Sequence, residues 1–311
     1  MKISIISPFT FGYIEALVEK ISAQPNYKVT FINISNIQFH YSNLSERLNN
    51  FLLKLFLNRN LKSENIENEI ESRIKQEAKQ NYILIIRPDK FSRNHLKFLK
   101  TNTEKLIVYL FDAIASIPDQ LKNLDLFDEV YSYELEDVTV YNFKFITNFI
   151  PLDYIEPVKG TGLFNISSFD ERFPIIQKVA KQIKDLNYPY KIVIKKDKII
   201  SCNYVDIITE YWNMDTVSKY ILDSAILLDI QKEGQHGLSF RIFEGLGTGK
   251  KIITTNKSVS NYDFYRPENI LIIDSLNPII PMKFLDEKAI EIPESIKSKY
   301  RREAWIKTIF S

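Results

Sequence analysis

QKEGQHGLSFRIFEGLGTGKKIITTN, residues 231–256, holds five of the chain's eight glycines: Gly234, Gly237, Gly245, Gly247 and Gly249. Glycine permits positive φ and close backbone approach but weakens a regular element. A chain this poor in glycine therefore concentrates it where bare backbone is needed. AILLDIQ (225–231) just before the stretch reads as a buried strand, and KKIITTN (250–256) at its end is a second one, rich in β-branched residues. Between them Leu238, Ile242 and Leu246 recur at i, i+4 and i+8 with Phe243 alongside, the spacing of a helix closed by a glycine C-cap. The unit is strand, glycine loop, helix, glycine turn, strand. Its loop EGQHG feeds a helix N-terminus, where unpaired N–H groups and the dipole favour an anion, so a phosphate-bearing ligand is expected.

Two familiar glycine motifs do not fit. A phosphate-binding P-loop needs glycine at position 244, where Glu244 stands, and Ser or Thr at position 251, where Lys251 stands. A dinucleotide fingerprint opens a helix after a strand, whereas GLGTG closes one. A glycine loop, a helix with a glutamate one turn before a glycine turn, and a β-branched strand together resemble the donor site of GT-B glycosyltransferases. That resemblance implies that Glu244 holds the ribose hydroxyls. It also implies that Gln235, Gly237, Leu238 and Ser239 form the donor loop, with amides of the last three facing the diphosphate. Glu233 lies eleven residues before Glu244, whereas the family pattern has its earlier glutamate eight before. The plain alternative is an ordinary helix-to-strand turn with a solvated Glu244.

Outward from this stretch, 311 residues allow one or two domains with sizeable cores. Hydrophobic content of 45% and charged content of 26% are those of a globular protein. A net charge of +2 argues against a nucleic-acid partner, and a single cysteine, Cys202, excludes an internal disulfide and suits a reducing compartment. The opening MKISIISPFTF has no cleavage pattern, and no run approaches the ~20 apolar residues of a membrane span. A cytoplasmic protein is expected.

KISIIS (2–7), a helix over 11–24 and KVTFINI (28–34) begin a doubly wound sheet. YILIIRP (82–88), KLIVYLFD (105–112), FDEVYSYE (127–134) and KFITNFIP (144–151) continue it. Asp89 and Asp112 follow two of these strands at the edge where such folds bind ligands. Asp112, and after it Asp89, are the candidate catalytic bases; each could instead cap a following helix. His40 and His95 lack partner spacing, so no metal is expected. LNNFLLKLFLNRNLK (48–62) is apolar with a basic fringe of Lys54, Arg59 and Lys62. It suits either peripheral membrane contact or a buried helix with snorkelling lysines.

PLDYIEPVKGTG (151–162) reads as the linker, dividing an N-terminal domain (1–158) from a C-terminal one (159–311). The second cycle has strands at LFNISS (163–168), YKIVIKK (190–196), KIISCN (198–203) and NILIID (269–274). Its last helix spans about 295–310. Two Rossmann-like α/β domains in tandem, with the phosphate loop in the second, follow the GT-B plan. That plan implies domains facing a cleft, a last helix crossing back to the first domain, and Arg172 and Arg241 as diphosphate ligands. Lys250 and Lys251, after the helix, are read as answering its dipole.

FDEVYSYE, NFIPLD, LFNISSFDERF, QHGLSFRIFEGLGTGKKIITTN and YDFY-x-x-ENI together resemble bacterial surface-polysaccharide transferases, and among them the enterobacterial lipopolysaccharide-core rhamnosyltransferases. The resemblance implies a dTDP-L-rhamnose donor used as substrate with no cofactor, a lipopolysaccharide-core acceptor at the cytoplasmic face of the inner membrane, and inversion at the anomeric carbon. A nucleotide-binding regulator, a nucleotide-sugar epimerase and a scaffold subunit are the other readings left open.

Overall fold

In the computed structural model, which describes residues 1–57, 59–153 and 159–311, the apolar runs become parallel strands. The elements of the first half are β1 (Lys2–Ser7), α1 (Tyr13–Ser22), β2 (Lys28–Asn33), α2 (Leu44–Leu57), α3 (Leu61–Lys75), β3 (Gln80–Ile86), α4 (Arg93–Thr101), β4 (Thr103–Leu110), β5 (Glu129–Ser132), α5 (Leu135–Tyr141) and β6 (Lys144–Phe145). Those of the second are β7 (Leu163–Ser168), α6 (Phe173–Asp185), β8 (Tyr190–Lys195), β9 (Asp206–Ile208), α7 (Met214–Asp223), β10 (Ile226–Asp229), α8 (Phe240–Thr248), β11 (Lys251–Thr254), β12 (Ile270–Ile272), α9 (Met282–Asp286), α10 (Glu294–Lys297) and α11 (Arg302–Ile309).

The chain forms two compact units. The first comprises residues 1–132, 137–145 and 310; the second comprises 133–136, 146–309 and 311. Each is a doubly wound α/β unit, built on a six-stranded sheet ordered β2-β1-β3-β4-β5-β6 in one and β12-β11-β10-β7-β8-β9 in the other. All pairings are parallel, for example Ile5 opposite Leu84 and Leu228 opposite Ile253. β1 is buried from Ile3 to Ser7, as parallel strands covered on both faces are. In the first unit Ile70 and Ile74 of α3 and Leu96 and Leu99 of α4 pack on Ile6, Ile85 and Val108. In the second, Ile176, Val179 and Ile183 of α6 pack on Leu163, Ile192 and Leu228. The strand order reverses between β1 and β3 in one sheet and between β7 and β10 in the other, which opens a crevice at each carboxyl edge.

Several expectations are corrected. KIISCN is not a strand. The outer strand is instead β9, which pairs Asp206 with Val193, and Ile199 of the expected strand is 76% exposed. Of KFITNFIP only Lys144–Phe145 joins the sheet. The closing helix is broken, because the N–H of Ile150 takes the carbonyl of Tyr300 at 2.7 Å. Arg301 is then extended, at ψ 158°, and α11 starts afresh. Phe310 beyond it packs edge-on against Tyr82 of β3. The expected linker and the boundary at 158 fall partly on residues 154–158, outside the described residues.

Candidate functional site

α8 forms where the sequence places it. Its buried side is Phe240, Ile242, Phe243 and Leu246, and it ends at Gly249, whose φ of 67° is the left-handed C-cap that glycine adopts without strain. Its N-terminus has no side-chain cap. Ser239, the residue placed to cap it, donates its hydroxyl to Asp229 Oδ1 at 2.7 Å instead.

Asp229 ends β10, beside the β7/β10 reversal. It is buried and takes a second hydrogen bond from Thr254 Oγ1 at 2.8 Å. The glycine loop is thus anchored at its far end by Ser239 and at its near end by the N–H of Gln231, which donates to Thr255 Oγ1 at 2.8 Å. Asn256 Nδ2 donates to the carbonyls of His236 (3.2 Å) and Gly237 (3.1 Å). Asn148 Nδ2 donates to the carbonyl of the buried Leu238 at 2.8 Å. Gln235 lends its carbonyl to the Gln231 side chain.

With these carbonyls engaged, two successive loop amides turn the other way. The N–H groups of His236 and Gly237 donate to one carboxylate oxygen of Glu134, at 2.9 and 2.7 Å. Paired backbone N–H groups that share an anion form a nest, and here the anion is a side chain of the same unit. A β-carbon on Gly237 would lie 2.5 Å from the Tyr133 carbonyl oxygen, so glycine is required for this approach. Burial and the nearby Glu134 charge push the Tyr262 phenol up to about 12.

Two arginines complete the edge. Arg172, in the turn after β7, is bidentate to Asp170 (Nε–Oδ1 2.9 Å, Nη2–Oδ2 2.6 Å), and its Nη1 donates to the Ile230 carbonyl at 3.3 Å. That contact ties the turn after β7 to the chain leaving β10. Arg241 pairs with Glu244 at 2.6 Å and lies over the Phe164 ring at 5.5 Å. Glu244 is fully buried, which sets aside the plain alternative of a solvated glutamate: its carboxylate pairs with Arg241. Lys250 and Lys251 are also corrected. Both are buried and do not answer the α8 dipole. Lys250 Nζ donates to the Leu222 carbonyl at 2.7 Å, and Lys251 Nζ donates to the carbonyls of Phe284 and Glu287.

At the ends of β7 and β8 runs an open groove of about 490 Å³ lined by Ser168, Phe169, Lys195, Lys196 and Tyr211, among others. Lys196 lies over Phe169 and Lys195 over Tyr211. Each ring thus carries an ammonium over one face, which makes the groove a basic one.

The first unit has its own cluster at the β1/β3 edge. Arg87, the residue after β3, has φ of 66°, a conformation a non-glycine residue holds only when its surroundings impose it. Its guanidinium is bidentate to Asp89, with both contacts at 2.8 Å, and reaches Asp112 at 3.7 Å. Burial works against ionisation of Asp89, but the hydrogen bonds and charge of Arg87 hold its carboxyl below the usual range. Asp112 is more open, with 39% of its side chain exposed. Neither caps the helical segment that follows it: Ser92 caps α4, and the short turn after Asp112 starts from Ile117.

The sequence-predicted donor residues Arg172, Gln235, Gly237, Leu238, Ser239, Arg241 and Glu244 all belong to the second unit, around the loop and α8. Asp89 and Asp112 meet in the first. Sequence reasoning missed Glu134, Asn148, Asp170, Asp229 and the Phe169/Tyr211 groove. Asp229 was legible by the rule that selected Asp112, as a carboxylate ending a parallel strand. Glu134 carried no local signal. Among the described residues no three His, Cys, Asp or Glu side chains are grouped to hold a metal ion, and no helix is long and apolar enough to cross a membrane.

No protein-family model and no curated protein matches the chain. Solved structures do. An α-glucosyltransferase in complex with UDP and a mismatched DNA 13-mer superposes with a TM-score of 0.59 at 12% identity, covering 100% of this chain and 92% of that one. The UDP-GlcNAc 2-epimerase of Methanocaldococcus jannaschii, in complex with UDP-GlcNAc and UDP, gives 0.54 at 12% identity and covers 99% of both chains. The glycotransferase of kitacinnamycin gives 0.52 at 11% identity, covering 99% of this chain and 98% of that one. The chain therefore has the two-unit fold shared by GT-B glycosyltransferases and UDP-GlcNAc 2-epimerases.

Proposed function

We propose that the chain is a glycosyltransferase whose second unit binds a nucleotide-diphosphate sugar. The observation that carries this reading is the carboxyl edge at the β7/β10 reversal. There Asp229 and Ser239 anchor a glycine loop, α8 has no side-chain cap, and Arg172 lies across the crevice; the Gly237 amide, expected to face the diphosphate, is instead held by Glu134. In the proposed complex the diphosphate meets the first-turn amides of α8 and Arg172, while the base enters the basic Phe169/Tyr211 groove. Glu244 holds Arg241 beside the end of β7, and its assignment as the ribose ligand is supported by the sequence resemblance alone. Asp112 accepts the proton of the acceptor hydroxyl. The hydroxyl oxygen then forms the new bond to the anomeric carbon as the bond to the diphosphate breaks, with inversion. Preorganised donors aimed at the leaving diphosphate are each worth ~3 kcal/mol. The finer reading, transfer of L-rhamnose from dTDP-L-rhamnose to a lipopolysaccharide core, is supported by the sequence resemblance alone.

The experiment is a thermal-shift panel of UDP, dTDP, GDP and CMP on the whole protein. A nucleotide at a hundred times its dissociation constant adds ~2.7 kcal/mol of stability. A dTDP response that Arg172→Ala and Phe169→Ala abolish supports the donor site and favours rhamnose. A response to UDP alone keeps the transferase and removes rhamnose. Silence across the panel overturns the donor site.

The fold likeness to the 2-epimerases favours a second reading, an epimerase acting on the same class of nucleotide sugar. Incubation with donor alone separates the two, since an epimerase interconverts it while a transferase consumes it only when an acceptor is present.

A further inference from the structure

α2 turns its apolar side away from the protein. Leu44, Leu48, Phe51, Leu52, Leu55 and Phe56 are each between 42% and 82% exposed. At ~100° per residue they fall within one arc of about 140°. The side that faces the protein is the more polar one. Asn50 is buried there, donating to Tyr41 Oη at 2.6 Å and accepting from the Leu61 N–H at 2.8 Å, with Glu46 and Leu53 half-buried beside it. One exposed leucine needs no explanation, but six large apolar side chains on one face of one helix do. The structure thus rejects the buried, snorkelling reading of this segment; Asn58 within it lies outside the described residues.

The charges on the helix identify the occupant. Arg47 and Lys54 are exposed, border the apolar arc on one side, and take part in no ion pair among the described residues. The only carboxylate of α2, Glu46, lies on the opposite side and accepts from the Ser42 N–H at 2.6 Å. A second copy of the chain would bring no acid on this face to answer the two cations. Phosphate head groups would answer them, while the leucines and phenylalanines enter the acyl boundary below.

We propose that α2 lies in the plane of an anionic lipid surface and docks the first unit there. In chain order α2 follows the carboxyl end of β2, the same sheet edge that carries Arg87, Asp89 and Asp112. The docking itself does not depend on which sugar is transferred, or on whether any is.

The test is cosedimentation of the full chain with vesicles of phosphatidylethanolamine and phosphatidylglycerol, set against phosphatidylcholine alone. Binding is expected on the anionic vesicles only and should fall as salt rises. Arg47→Gln and Lys54→Gln should each weaken it about fivefold, and Phe51→Ser with Leu55→Ser by more than tenfold. These side chains are exposed, so the melting temperature and any nucleotide-induced shift should stay unchanged, which separates this result from failure of the donor site. Absence of binding to anionic vesicles, or undiminished binding by the Phe51→Ser/Leu55→Ser variant, overturns the proposal. So does a dimer, seen in sedimentation equilibrium, that this variant dissociates, because the face would then join two copies.

Discussion

Asp89 and Asp112 flank one guanidinium and yet differ as bases. Asp89 spends both oxygens on Arg87 and is held ionised below the usual carboxylate range, which makes it a weak proton acceptor. Asp112 meets Arg87 only at 3.7 Å and is more open. Asp112→Asn is therefore expected to lower kcat by at least ~100-fold with nucleotide affinity unchanged. Asp89→Asn should chiefly lower Tm, through a loosened Arg87. A transfer assay paired with a melting curve checks both, and equal kcat losses without a change in Tm would contradict the division of roles. Glu134 poses a different question, since its carboxylate satisfies two loop amides. Glu134→Ala should cost about 3–6 kcal/mol in urea unfolding, because its two hydrogen bonds to a charged group are worth ~1.5–3 kcal/mol each, while Glu134→Gln should cost less. An alanine variant as stable as the parent would show that the loop holds its shape without it.

At the scale of elements, β4, β5 and β6 are joined by one carboxylate. Glu129 of β5 accepts from Tyr131 Oη at 2.6 Å and pairs with Lys105 of β4 at 2.9 Å and Lys144 of β6 at 3.0 Å. Burial opposes its charge, but these partners outweigh burial and bring the carboxyl from the ordinary 4.5 to about 2. A carboxyl depressed on folding adds stability that is fully present above pH 4.5 and is lost as pH falls toward 2. Solvent screening reduces the effect to about 1–2 kcal/mol. Urea midpoints measured from pH 6 to pH 2.5 should converge for the parent and Glu129→Gln at the acid end; parallel curves would refute the assignment. β6, only two residues long, depends on this pairing more than the longer strands do.

For the molecule as a whole, nucleotide is expected to act on one unit. Its addition should slow amide exchange in β10, the 230–239 loop and α8, leaving β1 to β4 unchanged; protection spread evenly over both sheets would contradict a donor site confined to the second unit. The parallel strands, the helix after the glycine loop and the tandem α/β plan were legible in the sequence, because burial on both faces leaves continuous apolar runs and a helix leaves a 3.6-residue period. Those signals are local and survive in the linear chain. The residues that grip the loop were not legible. Glu134 and Asn148 reach it from about a hundred positions away, and no local pattern encodes such a meeting. Tertiary packing alone decided that Glu244 would be buried against Arg241, that Asp89 would be spent on Arg87, that the last helix would break where Ile150 takes the Tyr300 carbonyl, and that α2 would turn its leucines outward. In each case the outcome depends on which group lies opposite, and only the folded chain supplies that.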